Sequence, residues 1–223
     1  RQNNFIRKAE LLMAILVKTQ NPNFTQVTGS QFAVNLIEGK TETAYNLKEG
    51  AVKEGDKKTY WKFSSGAFGQ YYAGAMHEIG LTLRNDAGNF ICSNKNHHDL
   101  ITGSDLAKAF EKQLNKEAKE IFISSVNEGE LKEEDIAILH ANFGIDMIDV
   151  TSKEYALYLE ILSQIDHPFE DIMEESQISY HRKNTIAYLL QQASEERLFT
   201  NWGDLINNNY NNVELVDLDK LKD

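Results

Sequence analysis

Apolar residues recur at helical spacing from the start of the chain. Phe5, Ala9, Leu12, Met13 and Leu16 fall at i, i+4, i+7, i+8 and i+11. Ile6, Leu11, Ile15 and Val17 widen that face, so the spacing predicts a helix buried on more than one side. Asn21-Pro22-Asn23 stops it, because proline lacks the N–H and restricts the residue before it. Gly29-Ser30 offers a cap for a short helix over Gln31 to Ile37, ended by Gly39. Residues 40–59 are polar and carry Gly50 and Gly55 among Lys and Glu, which predicts a mobile loop.

An aromatic concentration follows, with Tyr60, Trp61, Phe63, Phe68, Tyr71 and Tyr72. Phe68, Tyr71, Tyr72, Ala75, Met76 and Ile79 share one helical face, with Ser64 or Ser65 as the front cap and Gly80 at C′. Leu81 to Arg84 and Asn89 to Cys92 flank Asn85-Asp86-Ala87-Gly88 and read as a β-hairpin. After a polar segment through His97 and His98, Thr102 or Ser104 starts a helix carrying Leu106, Ala107, Phe110 and Leu114.

Beyond residue 120 the pattern is helical throughout. Helical segments are predicted near Ile121 to Val126 and over Asp135 to Asn142, with Asn127-Glu128-Gly129 as a break between them. Thr151 with Glu154 forms a capping-box pattern before a stripe of Tyr155, Tyr158, Leu159, Leu162 and Ile165. Residues 166–175 hold five acids and no Lys or Arg, a long helix is expected from about Ser179 to Leu198, and the Asn-rich tail reads as frayed. The fold class predicted is mostly α with one small β-hairpin: a first domain over 1–120 and an α-helical domain over 121–223.

Charge changes the functional picture. Among 223 residues, 23 Lys and Arg face 34 Asp and Glu, a net charge of −11. Such a surface repels nucleic acid unless its cations cluster. The hydrophobic share of 41% is that of a globular protein rather than a disordered one. The single cysteine, Cys92, excludes an internal disulfide and fits a reducing, cytoplasmic setting. No stretch approaches the roughly 20 apolar residues of a membrane span, and no signal-peptide pattern is visible. The chain opens on Arg1, as a fragment of a longer protein would.

Residues 64–110, through Ile79-Gly80-Leu81, the Asn85 to Gly88 turn and Thr102-Gly103-Ser104-Asp105-Leu106-Ala107, resemble a winged-helix domain. In that family a helix ending in Leu/Ile-Gly-Leu runs into a two-stranded wing, and the chain returns through a Leu-Thr-x-x-Gly-x-x-Leu-Ala helix start. Here Gly103 follows Thr102 directly, and a polar insert spans Ser93 to Asp99. The resemblance implies either DNA binding through the helix before the wing or protein docking. Residues 64–80 contain no Lys or Arg, which disfavours the first. A DNA-binding regulator, the alternative, would have to gather Arg84, Lys95, Lys57, Lys58 and Lys62 into one stripe.

Catalytic and metal candidates are weak. His97-His98-Asp99 with Cys92 invites a zinc reading, but adjacent histidines in a loop point apart and a site needs three or four placed ligands. Glu117-Ala118-Lys119 and Glu130-Leu131-Lys132 match only half of a nuclease metal motif. His140 sits among apolar neighbours and is expected to be packed or hydrogen-bonded, and no nucleophile elbow or P-loop is present. Gly66, Gly69 and Gly74 are expected to let the aromatic helix pack closely. These readings predict no catalytic residue, metal or cofactor, and leave an enzyme assembled from distant residues as a second alternative.

The function expected is a non-enzymatic adaptor subunit in a multiprotein complex, by analogy one of phage defence or DNA maintenance. Tyr60, Trp61, Phe68, Tyr71 and Tyr72 would bind a protein partner, a hetero-complex or a second copy, through aromatic area.

Overall fold

A computed structural model of the chain describes residues 1–40, 43–51, 60–94, 100–163 and 185. Those of Arg1–Asn94 and Thr102–Tyr158 pack as one compact unit, which includes residues on both sides of position 120. The few described residues of Lys95–Ile101 and Leu159–Asp223 belong to a second unit. The predicted acidic run, the helix at 179–198, the Asn-rich tail and the His97-His98 pair lie outside the described residues.

The architecture is mostly helical, as the apolar spacing predicts. Helix α1 (Gln2–Gln20) is its axis. Leu11, Leu12, Ala14, Ile15, Leu16 and Val17 are all fully buried, so this helix is covered on more than one side along its middle. Around it lie α2 (Ser30–Glu38), a 3₁₀ turn over Leu47–Ala51, α5 (Lys116–Glu128) and α6 (Ile136–Phe143). Residues 43–51 are not the mobile loop expected from their polarity. Strand β1 (Ala44–Asn46) pairs antiparallel with β4 (Glu130–Lys132), placing Tyr45 opposite Leu131 with both side chains buried. Three-residue strands leave no alternation to detect, and the partners are far apart in sequence. A second strand pair therefore joins the one predicted hairpin, and α5 runs through the expected break to Glu128 before Gly129.

That hairpin forms as predicted from β2 (Thr82–Arg84) and β3 (Phe90–Cys92), with Leu83 opposite Ile91. Its turn is organised by Asn85, whose Oδ1 accepts from the amides of Ala87 (3.1 Å) and Asn89 (2.9 Å). Helix α4 (Gly103–Gln113) starts on Thr102 through a reciprocal bond pattern with Asp105. The Thr102 hydroxyl holds the Asp105 carboxyl below its ordinary range. The described chain ends in α7 (Lys153–Ser163) apart from Thr185.

The aromatic helix departs from its predicted form in two ways. It opens with a π-helical turn over Phe68–Tyr72 before becoming α3 (Ala73–Glu78). Phe68, Tyr72 and Met76 line one hollow beside this helix, and Tyr71 does not. Its front cap is neither Ser64 nor Ser65. Glu10, buried on α1, accepts from the Ala67 amide at 3.1 Å and from the Phe68 amide in a shorter bond. Gly66 sits at φ +70°, and a Cβ there would collide with the Glu10 carboxylate. One turn earlier Arg7, also buried, donates from Nε to the Gly50 carbonyl (2.7 Å) and from Nη1 to the Phe63 carbonyl (2.8 Å). Two charged side chains of α1 thus fix the 3₁₀ turn and the start of the aromatic helix. Gly74 meets no other atoms, so close packing is not its role.

Burial raises the Glu10 carboxyl above its ordinary value near 4.5, and the Phe68 and Ala67 amides with Arg7 offset this only in part. The folded chain consequently holds this proton to higher pH than the unfolded chain does. Stability contributed here falls as pH rises from 4.5 through the raised value. Glu10→Gln, which keeps a carbonyl acceptor, removes that pH dependence in urea titrations across the window. Glu10→Ala leaves the Ala67 and Phe68 amides without their acceptor and lowers stability by about 3 kcal/mol near pH 4.5, and by less as pH rises.

Candidate docking groove

The aromatic helix, the hairpin and α1 enclose an apolar hollow of about 440 Å³. Phe5, Ile6 and Ala9 of α1 form its floor, Phe68 and Tyr72 one wall, and Phe90 with Ile91 the other. A second hollow of about 610 Å³ lies against α4, the end of α6 and residues 144–149. Met13, Met76, Thr82, Cys92 and Ile145 line both, so the two form one groove. The charged side chains lining it are Glu10, Asp149 and Glu154; no Lys or Arg lines either hollow.

Local chemistry holds each wall. Gln2 pins β3 to α1, donating from Nε2 to the Phe90 carbonyl (2.6 Å) and accepting at Oε1 from the Phe90 amide (2.8 Å). Phe90 packs edge-on against Phe68 with centroids 5.0 Å apart. Ser93, fully buried, joins hairpin to α4: its Oγ donates to the Gly80 carbonyl (2.6 Å) and accepts from the Gly103 amide (2.7 Å). Gly103 is required there, since a Cβ would strike the Leu81 carbonyl. On the far wall His140 Nε2 lies 3.0 Å from Asp146 Oδ1, and Asn21 donates to Asp146 Oδ2 at 3.2 Å, anchoring residues 144–149. His140 is hydrogen-bonded, as its apolar neighbours suggested.

The five aromatic residues singled out by sequence separate into different environments. Tyr60 is 5% exposed, edge-on to Phe32 at 5.4 Å, and its hydroxyl has no hydrogen-bond partner among the described residues. Burial, first, and then the Glu10 charge raise its pKa. It belongs to the core and offers no contact area. Trp61 is half-buried, donates from Nε1 to Gln70 Oε1 (2.8 Å) and meets Tyr71 edge-on at 5.9 Å. Tyr71 and Tyr72 are 56% and 46% exposed. Only Phe68 and Tyr72 line the groove. Phe5, Met13, Leu106 and Phe110 also line it, although their helical spacing alone marks them as core. No local sequence signal distinguishes an apolar position facing a groove from one facing a core.

Of the basic set, Arg84 lies over the Phe90 ring at 4.0 Å and donates to the Gly88 carbonyl at 2.7 Å, and Lys62 is exposed. Lys57, Lys58 and Lys95 lie outside the described residues. A third hollow of about 1090 Å³, which shares Phe5, Phe90 and Ile91 with the groove, does bring cations to the hairpin from elsewhere: Arg1 and Lys8 line it with Asn4, Asn85, Asn89 and Asn127. Lys8 donates to the Asn127 carbonyl at 3.2 Å, and burial with the nearby Lys48 charge lowers its pKa.

Among the described residues no three His, Cys, Asp or Glu side chains are grouped to hold a metal ion, and no helix is long and apolar enough to cross a membrane. Glu117 and Lys119 stand on helix α5, with Glu117 exposed, away from the buried strand a nuclease site requires. Glu130 and Lys132 are on a strand, but both side chains face solvent. The arrangement offers apolar area with fixed polar walls.

Removing the Ser93 hydroxyl tests how the hairpin is held to α4. Ser93→Ala leaves the Gly103 amide and Gly80 carbonyl without that partner and costs about 1–3 kcal/mol in chemical denaturation. Hydrogen exchange at the Gly103 amide accelerates with it.

No protein-family model, curated protein or solved structure matches this chain.

Proposed function

We propose that the chain is a non-enzymatic docking subunit of a cytoplasmic protein complex, built on a winged-helix-like arrangement, and that its groove receives an apolar segment of a polypeptide partner. The observation that carries this reading is the composition of the groove. Two contiguous hollows are lined by side chains such as Met13, Phe68, Tyr72, Met76, Phe110 and Ile91, with three carboxylates and no cation. Concave, mostly apolar surfaces with a few fixed polar groups are binding sites by default. Flexible methionines at such a surface adapt to the shape of a partner side chain. A polyanion finds nothing to pair with there.

Cys92, the single cysteine, is exposed and lines both hollows, so it reports on whatever occupies them. A photoreactive maleimide placed on Cys92 in the native host extract is expected to cross-link to a discrete polypeptide. Tyr72→Ser with Ile91→Ser, both exposed lining residues, reduces that adduct about tenfold while circular dichroism stays unchanged. Cross-linking to nucleic acid, or an adduct insensitive to the two substitutions, contradicts the reading.

A second reading has its own support. Arg1 and Lys8 share the third hollow beside the hairpin with four asparagines and no carboxylate, a lining suited to phosphate contacts. On that reading the wing contacts DNA. Lys8→Ala with Arg84→Ala would then weaken duplex binding uniformly across sequences and flatten its salt dependence, as read by fluorescence anisotropy between low and physiological salt.

A further inference from the structure

The groove carries information about the shape and charge of its occupant, and the inference drawn from it rests on the docking reading above. Its longest wall is one face of α4. Gly103, Leu106, Ala107, Phe110, Gln113 and Leu114 fall at i, i+3, i+4, i+7, i+10 and i+11, and all six line the second hollow. An eleven-residue helix is about 16 Å long, three turns of wall. Opposite it, Ile145, Met147 and Ile148 are 38%, 54% and 61% exposed. An apolar hollow lined along three turns of a helix is suited to another helix, packed about 8–10 Å from the first.

Strand addition, the other common mode of peptide capture, is obstructed at the hairpin. The Gln2 amide already occupies both the N–H and the carbonyl of Phe90 on β3. The carbonyl of Thr82 on β2 lies 3.0 Å from His77 Nδ1. Side chains of this chain thus take three of the main-chain groups that an added strand would use.

Charge narrows the occupant further. Glu10 is buried and engaged by two amides, which leaves Asp149 and Glu154 as the charged side chains that line the groove near solvent. Asp149 accepts from the Thr151 amide at 2.8 Å and hydroxyl at 2.7 Å, and Glu154 accepts from Gln113 at 3.5 Å, so both are held in place by neutral donors. Among the described residues neither is in an ion pair. With a net charge of −11 behind them, they favour a cation on the occupant and repel a carboxylate.

We propose that the groove binds an amphipathic helix of a partner protein in which an apolar stripe is flanked by Lys or Arg. The apolar stripe supplies affinity by burial against α4 and Met147. The flanking cations meet Asp149 and Glu154, setting orientation and excluding acidic helices.

Cys92 provides the readout in the intact chain. Two synthetic helical peptides of about 15 residues share one Leu stripe at i, i+3, i+4, i+7 and i+11 and carry Lys or Glu at the remaining positions. The Lys-flanked peptide is expected to slow alkylation of Cys92 by N-ethylmaleimide about tenfold at saturation, and the Glu-flanked peptide to leave the rate unchanged. Ala107→Trp, a bulky group on the exposed groove face of α4, abolishes the protection. Asp149→Asn with Glu154→Gln keeps the hydrogen-bond acceptors and weakens the Lys-flanked peptide about three- to tenfold. Equal protection by both peptides overturns the charge assignment and leaves the docking reading intact. Protection that persists in Ala107→Trp, or protection by neither peptide while Cys92 reacts freely, overturns the helical occupant; the photocrosslink then judges docking by itself. Slow alkylation in the protein alone, restored by denaturant, or protection that grows with protein concentration overturns the proposal by showing the groove filled by the chain or by a second copy.

Discussion

The placement of two charged side chains inside the apolar axis of the molecule governs most of what is built around it. Arg7 and Glu10 stand one turn apart on α1 and are both buried. Each ion is expensive to remove from water, and each is tolerated because backbone groups of another segment satisfy it. Arg7 takes the carbonyls of Gly50 and Phe63, while Glu10 takes the amides of Ala67 and Phe68. Segments that a hydrophobic core could hold only loosely are thereby given one register. The aromatic helix starts where Glu10 caps it, and Gly66 is the residue that lets the chain pass so close. From that start the π-turn presents Phe68 and Tyr72 to the hairpin, and Gln2 ties the hairpin back to α1. The groove exists because three elements are held apart at fixed distances by polar bonds instead of collapsing on one another.

This division of labour explains the chemistry of the groove. Its walls are positioned by hydrogen bonds at Glu10, Ser93, Gln2 and Asp146, while its surface is left largely to Met, Leu, Phe and Ile. A surface of that composition has no nucleophile beside a base and no grouped metal ligands among the described residues. It is suited to desolvation, the main source of affinity between polypeptides. In the proposed docking, Asp149 and Glu154 would add selectivity, which depends on what they repel as much as on what they attract.

Much of the helical architecture is legible in the chain itself. The apolar pattern of residues 5–17 marks α1 as buried on more than one side, Asn85 to Gly88 marks the hairpin, and Thr102 or Ser104 marks the start of α4. What escapes is whatever depends on long-range partners. The β1–β4 pairing joins two three-residue strands, each too short for a period to show. Glu10 looks like one more polar residue of an amphipathic helix, and nothing nearby announces that it caps a segment more than fifty residues away. Tyr60 and Tyr72 are equivalent as letters in an aromatic run, yet one is edge-on to Phe32 in the core and the other is half-exposed on the groove. The groove is less legible still. Phe5, Met13, Leu106 and Phe110 satisfy the spacing of a buried face, and only the gap between the elements they belong to turns that face into a surface.

Three of the four methionines, Met13, Met76 and Met147, line this groove. Methyl NMR of the methionine-labelled chain, recorded alone and with the polypeptide recovered through Cys92, tests the central claim most directly. The account predicts that all three methyl signals shift or broaden together on adding that polypeptide and stay in place on adding duplex DNA. Methyl signals unmoved by a bound partner, or moved by the duplex, would contradict it.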